Sequence, residues 1–396
     1  MKVSTRIATG VAAFGIGLSF VLPGAVPALV DAVRSVVGPE PIAWLEDRVY
    51  GARDMVVQRV RANEAPAPLF APPTTPAITV QAALAFESDA ATVGVDAGPV
   101  RDFPPPRFSP VAAKFAGTHD GEWIAVGDDV APDAPAAMYK VSVHPDTTRP
   151  YAVVAVVAMY LPDLTLHLVA GTREPESDAV SHDNRPGRVP RADVPRLLAA
   201  FNGGWQAIHG HFGMMVDGAQ FLPPRDRACT VGIYKDGHVA MATWTKLIAL
   251  GPQTELAAYR QGPRCLVETG ANAGGLKDEA LGWGASVDGE TVIRRSALGI
   301  SDDGRVLYYG MGDDLTARTV ADALARAGAR TVMELDINAS FPRFLLYAHA
   351  TAEDGGPDTI KVREALMPSK FGPQEYVGKP WYRDFFYVTR KPSAAR

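Results

Sequence analysis

The chain has 396 residues and a formal net charge of −5 at pH 7, with 47% hydrophobic and 21% charged residues. Mild acidity without a large basic patch argues against a nucleic-acid-binding protein, because such proteins cluster Lys and Arg against phosphates. The length and the apolar content allow a large folded unit in the middle and end of the chain. We therefore expect no nucleic-acid partner.

The first 30 residues have the pattern of an export segment. Lys2 and Arg6 precede residues 7–30, which contain no charged side chain. This pattern is typical of a signal peptide or a membrane anchor. The segment exceeds the ~20 apolar residues that cross a bilayer, but two prolines and a glycine interrupt its second half. Both alternatives predict a folded part outside the cytoplasm, periplasmic or secreted, with a membrane tether if the segment is retained.

A helix and then a linker are predicted to follow. Residues 31–62 form an amphipathic helical segment, predicted to pack on the domain or to lie beside a membrane. Its apolar residues recur at spacings of three and four: Ile42, Leu45, Val49, Ala52 and Val56. Residues 63–115 are rich in Pro and Ala, and they predict a linker because this composition buries too little apolar surface to fold alone.

Residues 116–396 are predicted to form the folded domain, with order beginning near Trp123. Short β-branched and aromatic runs are separated by Gly and by Asp-Gly turns, as at residues 236–237 and 303–304. Such runs and turns are typical of β-hairpins. The sequence therefore predicts an α+β fold with a mixed, largely antiparallel sheet and a few helices.

Two helices are predicted in this domain. A short one covers residues 194–201. A longer one is capped by Asp313 or Asp314 and ends at Gly328, because Asp favours the N-cap and Gly the C-terminal end. A strand over residues 331–336 follows and carries polar side chains toward one edge of the sheet.

Cys229 and Cys265 are the two cysteines of the chain. In an oxidising compartment they predict one disulfide. The alternative is two separate buried thiols, since free Cys packs as a small hydrophobe. The chain has no Cys-x-x-Cys pair, so metal binding by cysteine has little support.

Three polar motifs follow apolar runs. They are Asn202-Gly203-Gly204-Trp205, Arg295-Ser296-Ala297-Leu298-Gly299 and Leu335-Asp336-Ile337-Asn338-Ala339-Ser340. Their order resembles the phosphodiester glycosidase family, which has an Asn-Gly-Gly-aromatic element, then an Arg-Thr/Ser-Ala-x-Gly strand, then a Leu-Asp-Gly-Gly-Gly-Ser element. The resemblance covers about residues 199–347 and implies a phosphodiester-glycosidase-like domain that cleaves a bond between a sugar and phosphate.

This resemblance implies roles for the motif residues. Asp336 is the candidate catalytic carboxylate, because cleavage passes through an oxocarbenium-like state. A carboxylate can stabilise its positive charge, attack the anomeric carbon or activate water. Arg295 is the candidate phosphate ligand, since a guanidinium binds a phosphodiester bidentately. Asn202, Gly203 and Gly204 are expected at the rim of the site, in contact with substrate.

Further candidates flank Asp336. Glu334 shares a strand face with Asp336 and is a catalytic candidate, with a structural ion-pair residue as the alternative. Arg343 is a second candidate anion ligand, and an exposed structural arginine is its alternative. Asn338 and Ser340 are candidates to orient sugar or water, although side chains occupy residues 337–339 where the family has three glycines.

His209 and His211 follow the first motif. Two histidines at i and i+2 of an extended segment point the same way, so they can donate protons or bind a metal. His211 is the catalytic candidate of the pair, and two loop or packing histidines are the alternative. A metal-dependent hydrolase using both histidines and an acidic residue is an alternative function.

These interpretations predict an exported hydrolase that needs no cofactor. Its predicted substrate is a glycan or sugar phosphate, and it cleaves a bond between a sugar and phosphate in an envelope or extracellular glycan. A non-catalytic glycan-binding or envelope-binding protein on the same scaffold is the main alternative, because loss of the triple glycine would explain loss of catalysis.

Overall fold

The computed structural model describes residues 51–61, 63–71, 101–272, 291–338, 341–349, 360–368 and 371–392. The predicted export segment, most of the helical segment and most of the linker lie outside these residues, as does Ser340. Within these ranges, no helix combines the length and the apolar character that a membrane crossing requires.

In the described part of the chain the strands form three sheets, and every strand pairing is antiparallel. The largest has eight strands in the spatial order β1-β2-β3-β14-β13-β15-β11-β12. Their bounds are β1 (Ile124–Ala125), β2 (Met138–Val143), β3 (Val154–Tyr160), β11 (Val267–Glu268), β12 (Ala271–Asn272), β13 (Ile293–Ile300), β14 (Val306–Leu315) and β15 (Thr331–Glu334).

Two five-stranded sheets complete the architecture. One has the order β7-β6-β10-β8-β9, with β6 (Met214–Val216), β7 (Ala219–Leu222), β8 (Cys229–Tyr234), β9 (Val239–Thr243) and β10 (Leu256–Gln261). The other has the order β17-β16-β5-β18-β4, with β4 (Leu164–Val169), β5 (Leu197–Asn202), β16 (Phe344–His349), β17 (Ile360–Ala365) and β18 (Phe385–Arg390).

Helices are few in the described ranges, as predicted for an α+β fold. Besides residues 51–61, the α-helices are α1 (Trp244–Leu250) and α2 (Ala317–Ala327). Single 3₁₀ turns lie at Ala113–Phe115, His182–Asn184, Val194–Arg196, Ala207–His209 and Gln253–Glu255.

The eight-stranded sheet is buried on both faces. In β3, Ala155, Val157 and Met159 point into a central core that residues of all three sheets share. Val154 and Val156 point to the opposite face, where they join a second cluster that includes the apolar residues of α2. This double burial explains why β3 is a nearly continuous apolar run, since each side chain of an alternating strand meets protein.

Helix α2 begins later than predicted. Its N-cap is Thr316, whose side chain accepts a hydrogen bond from the Thr319 backbone N–H in a reciprocal capping box. The predicted caps Asp313 and Asp314 are wrong, because β14 continues past both of them. The helix ends as predicted at Gly328, which has a left-handed backbone with φ of 117°.

The helix predicted over residues 194–201 is also wrong. A single 3₁₀ turn is followed by β5, which lies between β16 and β18 and pairs with both. Pairing on both sides and complete burial of the strand outweigh the helix preference of its leucines and alanines. This difference places Asn202 at the end of a central strand rather than after a helix.

The packed chain extends toward the N-terminus beyond the predicted boundary at residue 116. Phe103 and Phe115 are buried, and the Phe103 ring stacks on Tyr160 with a centroid distance of 4.9 Å. Residues 101–115 therefore pack on the folded unit, and the linker prediction does not hold for them.

The helix of residues 51–61 contacts the folded unit through its charged side. Asp54 accepts hydrogen bonds from Arg149 at 2.6 and 3.1 Å, whereas Val56 and Val60 are exposed. Of the predicted apolar stripe, the two residues that the structure describes, Ala52 and Val56, are exposed, and ion pairs of Arg53 and Asp54 join this helix to the folded unit.

Cys229 and Cys265 form the predicted disulfide. It joins the first residue of β8 to the segment that follows β10. Gln261, the last residue of β10, is fully buried and its side-chain oxygen accepts from the backbone N–H groups of Gly213 and Arg225 at 3.0 and 2.8 Å. The Cys229–Cys265 disulfide is of the kind found in proteins that fold in an oxidising compartment.

Candidate functional site

The candidate site lies where strands of two sheets end. In the sheet of β5, Asn202 pairs with Phe385 at the start of β18, and Phe201 pairs with Phe344 at the start of β16. The segment after β15 reaches this point because the Asp336 backbone N–H donates to the Gly203 carbonyl at 3.2 Å. Residues from distant parts of the chain therefore converge at one edge.

The Asn202 side chain ties these strands together. Its carbonyl oxygen accepts from the Tyr309 hydroxyl at 2.7 Å and from the Arg343 backbone N–H at 3.1 Å. Its amide nitrogen donates to Ser296 Oγ at 2.9 Å, and Ser296 Oγ donates to the Asp336 carbonyl at 2.9 Å. Asn202 borders the pocket, and these bonds fix the position of its side chain.

Gly203 and Gly204 allow a buried ion pair to approach the backbone. A Cβ at Gly203 would lie 2.1 Å from Asp384 Oδ2, and one at Gly204 would lie 2.7 Å from Arg260 Cζ. Arg260 Nε donates to Asp384 Oδ2 at 2.9 Å, and the Gly204 N–H donates to the same oxygen at 2.9 Å. The Gly-Gly sequence is therefore required by packing against this pair.

Asp336 lies beside a second arginine. Arg383 Nη2 contacts Asp336 Oδ2 at 2.8 Å, and both side chains are more than nine-tenths buried. Burial raises the pKa of Asp336 above its ordinary value, Arg383 opposes this rise, and the Asp384 carboxylate adds to it. A buried carboxyl group with a raised pKa beside a pocket is a candidate acid or base.

The pocket that these groups line has a cavity volume of about 10 Å³, roughly the room that one water molecule needs. This volume is far below the ~300–1,000 Å³ of pockets for drug-sized ligands, so most of a ligand larger than one small group would lie outside it. Its lining combines backbone, charge and aromatic rings, with residues Asn202, Gly203, Gly204, Asp336, Phe341, Tyr376, Trp381, Arg383 and Asp384.

Aromatic rings position the arginines at the pocket. The Arg383 guanidinium lies over the Phe341 ring at 4.6 Å, and the Arg343 guanidinium lies over Trp381 at 4.8 Å. Arg343 also contacts Glu375 at 3.0 Å. It is buried beside the pocket-lining Trp381, which corrects the alternative of an exposed arginine.

Arg295 and Glu334 lie away from the pocket lining. Arg295 is fully buried and forms an ion pair with Glu334, the last residue of β15. It also donates to the carbonyls of Leu315 at 3.1 Å and Thr291 at 2.7 Å. The predicted roles of Arg295 on phosphate and of Glu334 in catalysis do not fit this geometry, because both side chains are buried, form an ion pair with each other and do not line the pocket.

The backbone at His209 and His211 differs from the extended segment that the sequence predicted. His209 ends a 3₁₀ turn, Gly210 has φ of 136°, and His211 has φ of 47° with an exposed side chain. The two are therefore not i and i+2 of an extended segment, and neither lines the pocket. Among the residues that the structure describes, no three His, Cys, Asp or Glu side chains form a group able to hold a metal ion.

The sequence interpretation missed Arg383, Asp384 and Arg260. Arg383 and Asp384 are neighbours in the sequence and lie between aromatic residues just before β18, outside the stretch covered by the resemblance. Two adjacent charged residues at the start of an apolar strand were the signal that could have indicated them. Asn338 is half-buried after Asp336, and its role in orienting a ligand stays a prediction.

Comparison with known proteins shows distant backbone likeness. No family model matches the chain, and no curated protein matches its sequence. The catalytic domain of zebrafish N-acetylglucosamine-1-phosphodiester alpha-N-acetylglucosaminidase, solved in a form auto-inhibited by its pro-peptide, is 15% identical with a TM-score of 0.42, over 70% of this chain and 90% of that one. A hypothetical protein from Synechocystis is 11% identical with a TM-score of 0.39, over 66% of this chain and 65% of that one. Likeness at this level indicates a distant fold relationship and carries no argument about function.

Proposed function

We propose that the chain is an exported hydrolase that cleaves the bond between a sugar and a phosphate group. The observation that carries this proposal is the pairing of Asp336 with Arg383 at the lining of a small pocket, to which Asn202, Gly203 and Gly204 also contribute. A carboxylate, a guanidinium and aromatic walls are the groups that an anionic sugar derivative needs. The motif resemblance of residues 199–347 points to the same chemistry.

In the proposed mechanism Arg383 takes the place predicted for Arg295. Its guanidinium holds the phosphate oxygens and neutralises the charge that develops as phosphate leaves. Phosphate departs readily, so protonation of the leaving oxygen is less important than for an alkoxide. The C–O bond between the anomeric carbon and the bridging oxygen breaks, and a phosphate monoester is released.

Asp336 is the proposed base. It removes a proton from the water whose oxygen bonds to the anomeric carbon, and its raised pKa makes it a stronger base than an exposed aspartate. Asp384, held by Arg260 and by the Gly204 N–H, places negative charge near the oxocarbenium-like centre. Trp381, which is half-buried at the pocket, offers apolar surface to the sugar, whereas Tyr376 is buried against Phe385.

The test is release of free sugar from a panel of sugar-1-phosphodiesters by the full chain and by Asp336→Asn. We expect turnover by the parent and a loss of ~10²–10⁴-fold in the variant, the usual contribution of a general acid or base. Asp313→Asn is the matched control, because Asp313 pairs with Arg294 at a half-exposed position away from the pocket lining. Equal turnover by the parent and Asp336→Asn would contradict the assignment.

One observation favours a second candidate function. Ile337 is 7% exposed directly after Asp336, where the resembled family has glycine, and the pocket is small. A ligand-binding protein without catalysis would tolerate both features. Glycan binding that persists in Asp336→Ala, together with no turnover of any phosphodiester by the parent, would support that function.

A further inference from the structure

We propose that the pocket is a phosphodiester-binding site in which Arg383 is exchanged between Asp336 and the bound anion, so that anion binding drives a proton onto Asp336. This inference deepens the proposed function, on which it rests for the identity of the substrate. The exchange itself concerns binding alone and is testable without turnover, and in the complex only the ionised form of Asp336 acts as the base of the proposed function.

The geometry of Arg383 is the first step. Nη2 of Arg383 contacts Asp336 Oδ2 at 2.8 Å and donates to the Gly204 carbonyl at 3.4 Å. A bidentate oxyanion that uses Nη2 as one of its two donors competes with Asp336 for that nitrogen. The Phe341 ring beneath the guanidinium keeps the plane of the group in place during this exchange.

The surroundings of Asp336 supply the second step. The charged and titratable groups that face it are Arg383, Asp384, Arg260 and Tyr382. Arg260 cannot replace Arg383 as the partner, because it already binds Asp384 at 2.9 Å and the Phe212 carbonyl at 3.0 Å. When the anion occupies Arg383, Asp336 keeps the Asp384 repulsion and its burial but loses its nearest cation.

The third step follows from linkage. Loss of Arg383 raises the pKa of Asp336 further, since Arg383 is the main group that opposes the rise. At pH values between the pKa of Asp336 in the free protein and its higher pKa in the complex, anion binding is therefore accompanied by uptake of a proton. Affinity for the anion falls as pH rises through this window, because the binding equilibrium and the proton equilibrium are reciprocal.

Calorimetric titration of the full chain with dimethyl phosphate tests this exchange. Dimethyl phosphate keeps a single negative charge across the pH range, so its own titration does not contribute. Titrations at two pH values in buffers of different ionisation enthalpy measure the protons taken up. The parent should take up a measurable fraction of one proton and bind more tightly at the lower pH.

Two variants separate exchange from a structural pair. Asp336→Asn should bind dimethyl phosphate ~10-fold more tightly without proton uptake, because the competing carboxylate is gone. Arg383→Gln should lose binding, and Asp313→Asn should behave as the parent. Thermal unfolding measured for each variant identifies any that fail to fold. If Arg383→Gln fails to fold, Arg383→Lys takes its place, because it keeps the positive charge. Arg383→Lys should bind dimethyl phosphate more weakly than the parent.

The outcomes distinguish this inference from the proposed function. Weaker or unchanged binding by Asp336→Asn, or no binding by the parent, overturns the exchange and leaves Asp336 as a structural partner of Arg383. Proton-coupled binding of dimethyl phosphate without turnover of any sugar-1-phosphodiester supports the exchange and contradicts the hydrolase.

Discussion

Arg295–Glu334 and Arg383–Asp336 are both buried arginine–carboxylate pairs, yet they lie in different surroundings. Arg295 sits within β13 and binds Glu334 and two carbonyls, with no exposed surface. Arg383 lies before a strand and shares a pocket lining with Asp336. Both pairs are buried, so the difference lies in their surroundings: strands and backbone carbonyls surround Arg295 and Glu334, whereas Arg383 and Asp336 border a small pocket.

The largest predicted effect separates the two carboxylates by function. Asp336→Asn should lower sugar release ~10²–10⁴-fold. Glu334→Gln should leave turnover per folded molecule near the parent value, since Glu334 does not line the pocket. Steady-state kinetics normalised to folded protein measure both, and a larger loss in Glu334→Gln would reverse the comparison.

The second prediction separates the pairs by stability. Glu334→Ala should lower the free energy of unfolding by ~3–5 kcal/mol, because it leaves the buried Arg295 charge without its carboxylate. Asp313→Ala is the control, since it removes the partially exposed partner of Arg294, and it should cost ~0–1 kcal/mol. Urea unfolding compares the two variants, and equal losses would mean that burial is not what matters.

A third prediction concerns the backbone that holds Asp384. Gly203→Ala should cost ~1–3 kcal/mol, because its Cβ would collide with Asp384 Oδ2 and with the Asp384 carbonyl, at 2.1 and 2.6 Å. Gly117→Ala is a matched control, since a Cβ there meets no atom within 4 Å. Thermal unfolding of both variants measures the loss of stability, and anion binding measured on the same proteins shows whether the strain also weakens binding at the pocket.

The smallest effect is the pH dependence of Asp336. A folded-state pKa above the unfolded value means that the native state binds more protons in the window between the two. The stability of the parent relative to Asp336→Asn should therefore be highest below the unfolded pKa and fall as pH rises through the folded pKa. The fall is about 1.4 kcal/mol for each pKa unit of difference. Urea unfolding of both proteins across this range measures it, and the opposite slope would contradict the raised pKa.

Several features of the fold were predictable because they depend on local chemistry. The disulfide, the largely antiparallel strands, the end of α2 at Gly328 and the strand beginning at Thr331 agree with the sequence predictions. Local rules failed at β5, where pairing with two neighbours replaced the predicted helix. They also failed at α2, since Asp313 and Asp314 lie inside a strand rather than at the cap.

The candidate site was only partly predictable. Asn202, Gly203, Gly204 and Asp336 were selected from motifs, and the structure brings them to one pocket. Arg383 was missed because it follows Asp336 by 47 positions in the chain and is brought to it by the pairing of β18 with β5. Roles inferred for all of these residues stay predictions until activity is measured.

Residue types and their order were enough to indicate an antiparallel α+β unit, a cysteine pair and polar motifs at strand ends, because hydrogen-bonding capacity, turn preference and alternation act over a few residues. Long-range packing chose which arginine faces the pocket. Arg295 and Arg383 have the same side chain, and neither spacing nor composition says which is enclosed. That difference arises only when strands distant in sequence pair, since burial and the surrounding charges depend on neighbours that the chain order does not place together.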